Sequence, residues 1–278
     1  MTKSTSSRAI KFLVILVVVL VILGALAEFG VRHMIRSSFR DDVMHHAQEA
    51  GVENPEEPNI SFGASPVLFS LITKKVPHVD MTTPDTSQVS WPGGPNDLPE
   101  IKGQPSSAVT LDSVDISNSE APIAEHLRIS TTLGDDYLKA VLQQSMAGGG
   151  SQDDYAEDVI QSLFRITGVT SNAEEGTITI EFTGGATSMT LKPFAQNGRL
   201  AFEITRSSIF GLNLSEDVNR VIGEDLSEGF AESAQEGLRI EDAAVTADGL
   251  QLTMSGQNVN LHDISGAAAP AASASSAA

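Results

Sequence analysis

The feature that most constrains this chain is "FLVILVVVLVILGALA", Phe12 to Ala27. It carries no charge and is nearly all aliphatic, so it must be helical and must leave water. As a helix it is roughly 24 Å long at about 1.5 Å per residue, somewhat short of the roughly 30 Å hydrocarbon core of a bilayer. A short basic lead, "KSTSSRAIK", precedes it. Two readings follow. One is a retained anchor that extends past Glu28, over 12–34, with 1–11 as a cytoplasmic lead. The other is a signal peptide cut near Ala27, because "ALA" fits the small-x-small cleavage rule. The lysine–arginine rule does not decide orientation, since Lys3, Arg8 and Lys11 precede the run and Arg32, Arg36 and Arg40 follow it. Either way the remainder is delivered to or across a membrane.

The rest of the chain is strongly acidic. The formal net charge is −19 over 278 residues, and the first 27 contribute only positive charge. Such a domain repels a phosphate backbone, which argues against nucleic acid as a partner. There is no cysteine, so disulfides, thiolate metal sites and cysteine nucleophiles are excluded together.

After the apolar run, Val31, Ile35, Phe39, Val43 and Ala47 recur every four residues, with Arg32, Arg36 and Arg40 as the adjacent row. This spacing predicts a helix over about 28–50, stopped at Gly51 and possible as a continuation of the first. Residues 82–107, dense in Pro, Gly and Asp, read as an irregular excursion. Further on the period changes to two. "GTITIEF", "GRLAFEIT" and "GLQLTMSG" each place large apolar residues on one face. Asn197-Gly198 and Asp248-Gly249 are hairpin pairs, so neighbouring strands should be antiparallel. "AVTLDSVDIS" alternates and then changes phase at Ser113, as a bulge or twist would make it. Helices are expected near 135–146 and 215–236, the second with Ser215 as N-cap and an apolar stripe of Val218, Val221, Ile222, Leu226 and Phe230. Strands followed by a helix occur twice, a faint sign of duplication. The Ala/Ser/Pro stretch 265–278 reads as a disordered tail. The sum is an α+β domain over 28–264, an antiparallel sheet with helices laid against it.

Catalytic signatures are missing: no G-x-S-x-G elbow, no G-x-x-x-x-G-K-[ST] loop, no H-E-x-x-H. In "RDDVMHH" the pairs Asp41/His45 and Asp42/His46 share helical spacing, but solvated charge explains them better than a metal. No residue is assigned a catalytic, metal or cofactor role. What the chain offers instead is apolar surface. It is densest in "SFGASPVLFSLITKK", where Phe62, Pro66, Val67, Leu68, Phe69, Leu71 and Ile72 precede Lys74 and Lys75.

Three stretches carry a resemblance: "ISFGASPVLFSLITKKVPHVDM", "LKPFAQNGRLAFEITRSSIFGLNLS" and "EGLRIEDAAVTADGLQLTMSGQNVNL". Together they resemble the LmeA-like phospholipid-binding family of actinobacterial envelope proteins, over about residues 28–262. The resemblance implies a tubular lipid-binding fold, a strongly curved antiparallel sheet wrapped on a long helix, with acyl chains held between them. It also implies an extracytoplasmic location at the cell membrane, phospholipid as partner, and a link to the building of mannose-containing lipoglycans, with envelope-assembly proteins as further partners. On that reading Val31, Ile35, Phe39, Val43, Phe62, Pro66, Val67, Leu68, Phe69, Leu71 and Ile72 are candidates for the lipid site. Lys74 and Lys75 are candidates for a headgroup, and Arg32, Arg36 and Arg40 for the membrane surface. The competing reading is a membrane-anchored scaffold with a solid core and no lipid site.

Overall fold

The computed structural model describes residues 5–94, 98–118, 120–148, 165–209, 211–217, 219–220, 223, 227 and 237–265; side chains at 5–18, 20–22, 147–148 and 264–265 lie outside the description. The expected tail at 266–278 and most of the helix expected at 215–236 also lie outside it. Helical backbone does begin at Glu216, and the Asn219 N–H donates to the Ser215 carbonyl, as the expected cap position requires.

The N-terminal run and the four-residue apolar row form one helix, α1, Thr5–Glu49. A short helix follows, α2, Val67–Thr73. The others are α3, Asp135–Gly148, and α4, Leu261–Ser265. Among the described residues no helix is long and apolar enough to cross a membrane; the side chains of Phe12–Ile22, Val19 apart, are not among them.

Six strands make the larger sheet: β1 Asn59–Ser61, β2 Lys75–Thr83, β5 Ser107–Asp115, β6 Ile123–Leu133, β12 Leu238–Thr246 and β13 Gly249–Asn260. Their order is β1-β2-β5-β6-β13-β12, antiparallel throughout. Five more form a second antiparallel sheet, β11-β10-β9-β8-β7: β7 Ile166–Asn172, β8 Thr177–Phe182, β9 Thr187–Gln196, β10 Arg199–Ile209 and β11 Leu212–Asn213. Neither sheet closes on itself. The excursion at 82–107 is not wholly irregular: β3 Gln88–Ser90 and β4 Glu100–Lys102 pair as a hairpin. It is held to α3 by Trp91, whose Nε1 donates to Gln143 Oε1 at 2.8 Å and whose ring lies 4.3 Å from Lys139 Nζ.

The phase change at Ser113 is real, and it is shared. Leu111 and Val114 are both buried in the same core although three residues apart. The same odd step separates Val76 from Val79 on β2, Ala124 from Leu127 on β6, and Gly256 from Val259 on β13. These residues are partners across the sheet: Val76↔Val114↔Ala124↔Val259 on one rung, and Val79↔Leu111↔Leu127↔Gly256 on the next. Four neighbouring strands therefore slip phase at one place and keep register. Ser113 (φ 54°) and Asn258 (φ 52°) take the left-handed conformation there. Single-strand bulges add bends where the register shifts, between Ile166 and Gly168, between Ile204 and Arg206, and between Ile240 and Asp242.

Two apolar clusters result. In the first, Ile60, Phe62, Val67, Val79, Leu111, Val114, Ala124, Leu127 and Val259 are covered by Val31, Ile35 and Phe39 of α1. In the second, Ile166, Val169, Ile178, Ile180, Leu191, Ile204 and Leu250 are covered by Leu138 and Leu142 of α3, with Leu133, Val245 and Leu252 of the larger sheet alongside. The larger sheet serves both: the first cluster spans its bend, and the second lies toward the β12–β13 turn.

Candidate functional site

The site is built where α1, the β1–α2 turn and α2 meet. Pro66 occupies the N-cap of α2 and offers no side-chain acceptor. The exposed first N–H groups of a helix need one. Glu28, from α1, supplies it: Oε1 accepts from the Val67 N–H at 2.6 Å and Oε2 from the Leu68 N–H at 2.9 Å. Arg32 Nε donates to the same Oε1 at 2.6 Å, one helical turn on. Its other nitrogens reach the Gly63 carbonyl at 3.0 Å and the Ser65 carbonyl at 2.6 Å. Arg36 Nε donates to the Ile60 carbonyl at 3.2 Å. Two arginines and one glutamate thus lace the whole 60–68 segment to α1. Gly63 makes the turn with φ 58°, where most side chains would be strained. From Glu28 onward α1 belongs to the domain; Leu23, Leu26 and Phe29 are exposed.

The apolar run in and around α2 divides in two. Phe62 and Val67 are buried, 7% and 5% exposed, in the first cluster, and Leu68 is half-buried. Phe69 is 62% exposed and Ile72 80%, and Leu71 is exposed as well. Val67 and Ser70 form the inward face, Phe69 and Ile72 the outward one, each pair three apart as a helix requires. Lys74 ends the helix in the left-handed conformation (φ 58°), and Lys75 opens β2 opposite Asp115. Both lysines are exposed.

Of the other expected residues, Val31, Ile35 and Phe39 are half-buried against the first cluster. Val43 lies further along α1, beside a cleft of about 550 Å³ that is also lined by Asp42, His46, Glu49, Thr86 and Gln104. Its rim is polar. Arg40 pairs with its neighbour Asp41 at 3.2 Å in the open. Among the described residues no group of His, Asp and Glu could hold a metal ion. His46 Nδ1 instead lies 2.9 Å from the Asp42 carbonyl.

Sequence reasoning missed one cluster. His78 Nδ1 lies 2.6 Å from Asp112 Oδ1, and Nε2 lies 2.7 Å from Asp80 Oδ2, while the Thr110 hydroxyl donates to Asp80 Oδ1 at 2.9 Å. The hydrogen bond to Asp112, and next that to Asp80, raise the imidazole pKa above its ordinary value; the bond to His78 lowers that of Asp80. Only the pairing of β2 with β5 brings Asp112 to His78.

The comparison with known families now bears on this arrangement. The model of the LmeA-like phospholipid-binding family matches residues 26–255. The chain belongs to that family. The match starts two residues before Glu28 and takes in the α1–α2 lacing, the second sheet and the bent sheet up to residue 255 of β13. No curated protein and no solved structure matches the chain.

Proposed function

We propose that this protein is an extracytoplasmic, membrane-anchored phospholipid-binding protein that acts by binding rather than by catalysis and supports lipid or lipoglycan assembly in the cell envelope. The observation that carries the reading is the family match over 26–255. The lipid chain lies between the α1 face of Val31, Ile35 and Phe39 and the bent sheet behind Phe62 and Val67, with α2 at the mouth. What supports this placement is that Val31, Ile35 and Phe39 pack against the first cluster and stay half-buried, an apolar face beside the sheet. Burial of a lipid chain yields about 0.8 kcal/mol per CH₂, so such a groove binds with no catalytic group. Lys74 and Lys75 stand beside α2 as point charges for a headgroup phosphate, and Arg40 is the member of the arginine row that pairs with its neighbour Asp41 and not with the 60–68 segment. The run Phe12–Ala27 holds the domain at the membrane, with signal cleavage near Ala27 as the alternative.

A bulkier wall tests the location. Ile35→Trp should fill the groove and lower uptake of a fluorescent phospholipid several-fold while leaving the unfolding transition in place. Unchanged uptake would move the lipid elsewhere. The second reading, a scaffold with a solid core, is favoured by the burial of Phe62 and Val67; it requires that neither wild type nor variant take up lipid.

A further inference from the structure

We infer that α2 is a membrane-insertion element: its outward face, Phe69 and Ile72 with Leu71 at its edge, seats in the lipid headgroup layer of the bilayer that holds α1. The inference rests on the anchor reading and adds to it the depth at which the domain sits. Four observations carry it. First, α1 is one helix from Thr5 to Glu49, so the domain cannot swing freely about its point of exit. Phe12 to Phe29 spans roughly 27 Å as a helix, close to the hydrocarbon thickness of about 30 Å. Phe29 therefore marks the level at which the helix leaves the membrane. Second, Glu28 holds the start of α2 at that level, through hydrogen bonds to the Val67 and Leu68 N–H groups. Third, the apolar side chains on both elements are bare: Ile72 80%, Phe29 73%, Leu26 63% and Phe69 62% exposed. Water is a poor medium for such a set held together, and continuity with the apolar run of α1 makes the occupant a bilayer. Fourth, Lys74 takes a left-handed cap position that glycine fills at no steric cost, and Lys75 follows it. Two cations thus flank the inserted face, at the height of lipid phosphates, where long lysine stems reach upward from apolar surroundings. Glu28 itself is a carboxylate at the membrane boundary, kept from bare exposure by Arg32 and two N–H groups.

The chain has no cysteine, so single cysteines can carry an environment-sensitive fluorophore without background. The full chain is reconstituted into phosphatidylcholine vesicles containing a minority of phosphatidylglycerol, with the label at Ile72→Cys, at Val19→Cys in the apolar run, or at Glu174→Cys in the β7–β8 turn. Quenching by a nitroxide-bearing lipid is compared with quenching by aqueous iodide. The inference expects label 72 to be quenched by the lipid nitroxide several-fold more than label 174 and to be protected from iodide. Label 19 in lipid with label 72 behaving like label 174 overturns the inference and leaves the anchor standing. Label 72 shielded from both quenchers overturns it too, in favour of a protein partner on that face. Label 19 in water overturns the anchor reading and the inference together.

Discussion

Glu28 interrupts an otherwise apolar stretch, and an acid there is costly unless it is paired. The structure supplies its partners: two N–H groups of α2 and the Arg32 guanidinium. Removing the carboxylate leaves the first N–H groups of α2 without an acceptor and a half-buried guanidinium without its counter-charge. Glu28→Ala should therefore destabilise the domain by about 2 kcal/mol, and amide exchange at Val67 and Leu68 should speed up before exchange in the sheet does. An unchanged denaturation midpoint would mean that α2 docks through Val67 alone. His78 makes the stability depend on pH. Its folded pKa is raised, so its contribution is complete below the ordinary imidazole value and is lost as pH rises through the folded one. Exposure to solvent keeps that contribution small. The expected result is a melting temperature that falls modestly as pH rises above the ordinary imidazole value, and a His78→Asn variant whose melting temperature is flat there. Arg32 lies one helical turn from Glu28 and Asp80 two residues from His78, but the other partners were not legible in the sequence. Val67 and Leu68 lie 39 and 40 residues from Glu28, and Asp112 lies 34 from His78; folding, not spacing, brings them together.

At the scale of elements, local patterning was informative. The row Val31, Ile35, Phe39 forms the packed face of a helix, and the alternating stretches at 177–182, 199–209 and 249–260 are strands. Asn197-Gly198 is the turn between β9 and β10. The other hairpin turns one residue earlier than its Asp-Gly pair suggests, through Ala247 and Asp248, because Thr246 and Gly249 pair across it. Ser113 announced the bend in one strand. What its sequence could not announce is that Pro77, Glu125 and Asn258 stand at the same place in three neighbours, so that the slip crosses four strands without loss of register. The bend gives a direct prediction. Ser113→Val puts a β-branched side chain at φ 54° and should cost about 1–2 kcal/mol, whereas Ser113→Gly should be close to neutral. A denaturant titration of the two variants separates them; equal midpoints would deny that the left-handed residue is needed. The hairpin β3–β4 was hidden because its strands are three residues each, too short for alternation to register, and it depends on α3 for support.

For the whole molecule, charge and apolar surface pull in opposite directions. A chain of net charge −19 is repelled at long range by an anionic leaflet, so the proposed attachment relies on the apolar run and the exposed face of α2, with the local cations at Lys74, Lys75 and Arg40 acting only close to the surface. The arginine row shows how far sequence reasoning carried at this scale: it was visible as a basic stripe beside the apolar run, but Arg32 and Arg36 direct their guanidinium groups at main-chain carbonyls of the chain's own β1–α2 turn and β1. The apolar segment 62–72 was likewise conspicuous, and only the fold divides it into core and surface. Lipid binding is the central claim, and mass measures it most directly. A chain starting at residue 26, which retains Glu28 and Arg32, is purified from a bacterial host, examined by native mass spectrometry and then extracted with organic solvent. The account predicts discrete added masses that match phospholipid and are lost on extraction; a bare protein mass, unchanged after incubation with phospholipid vesicles, would contradict it.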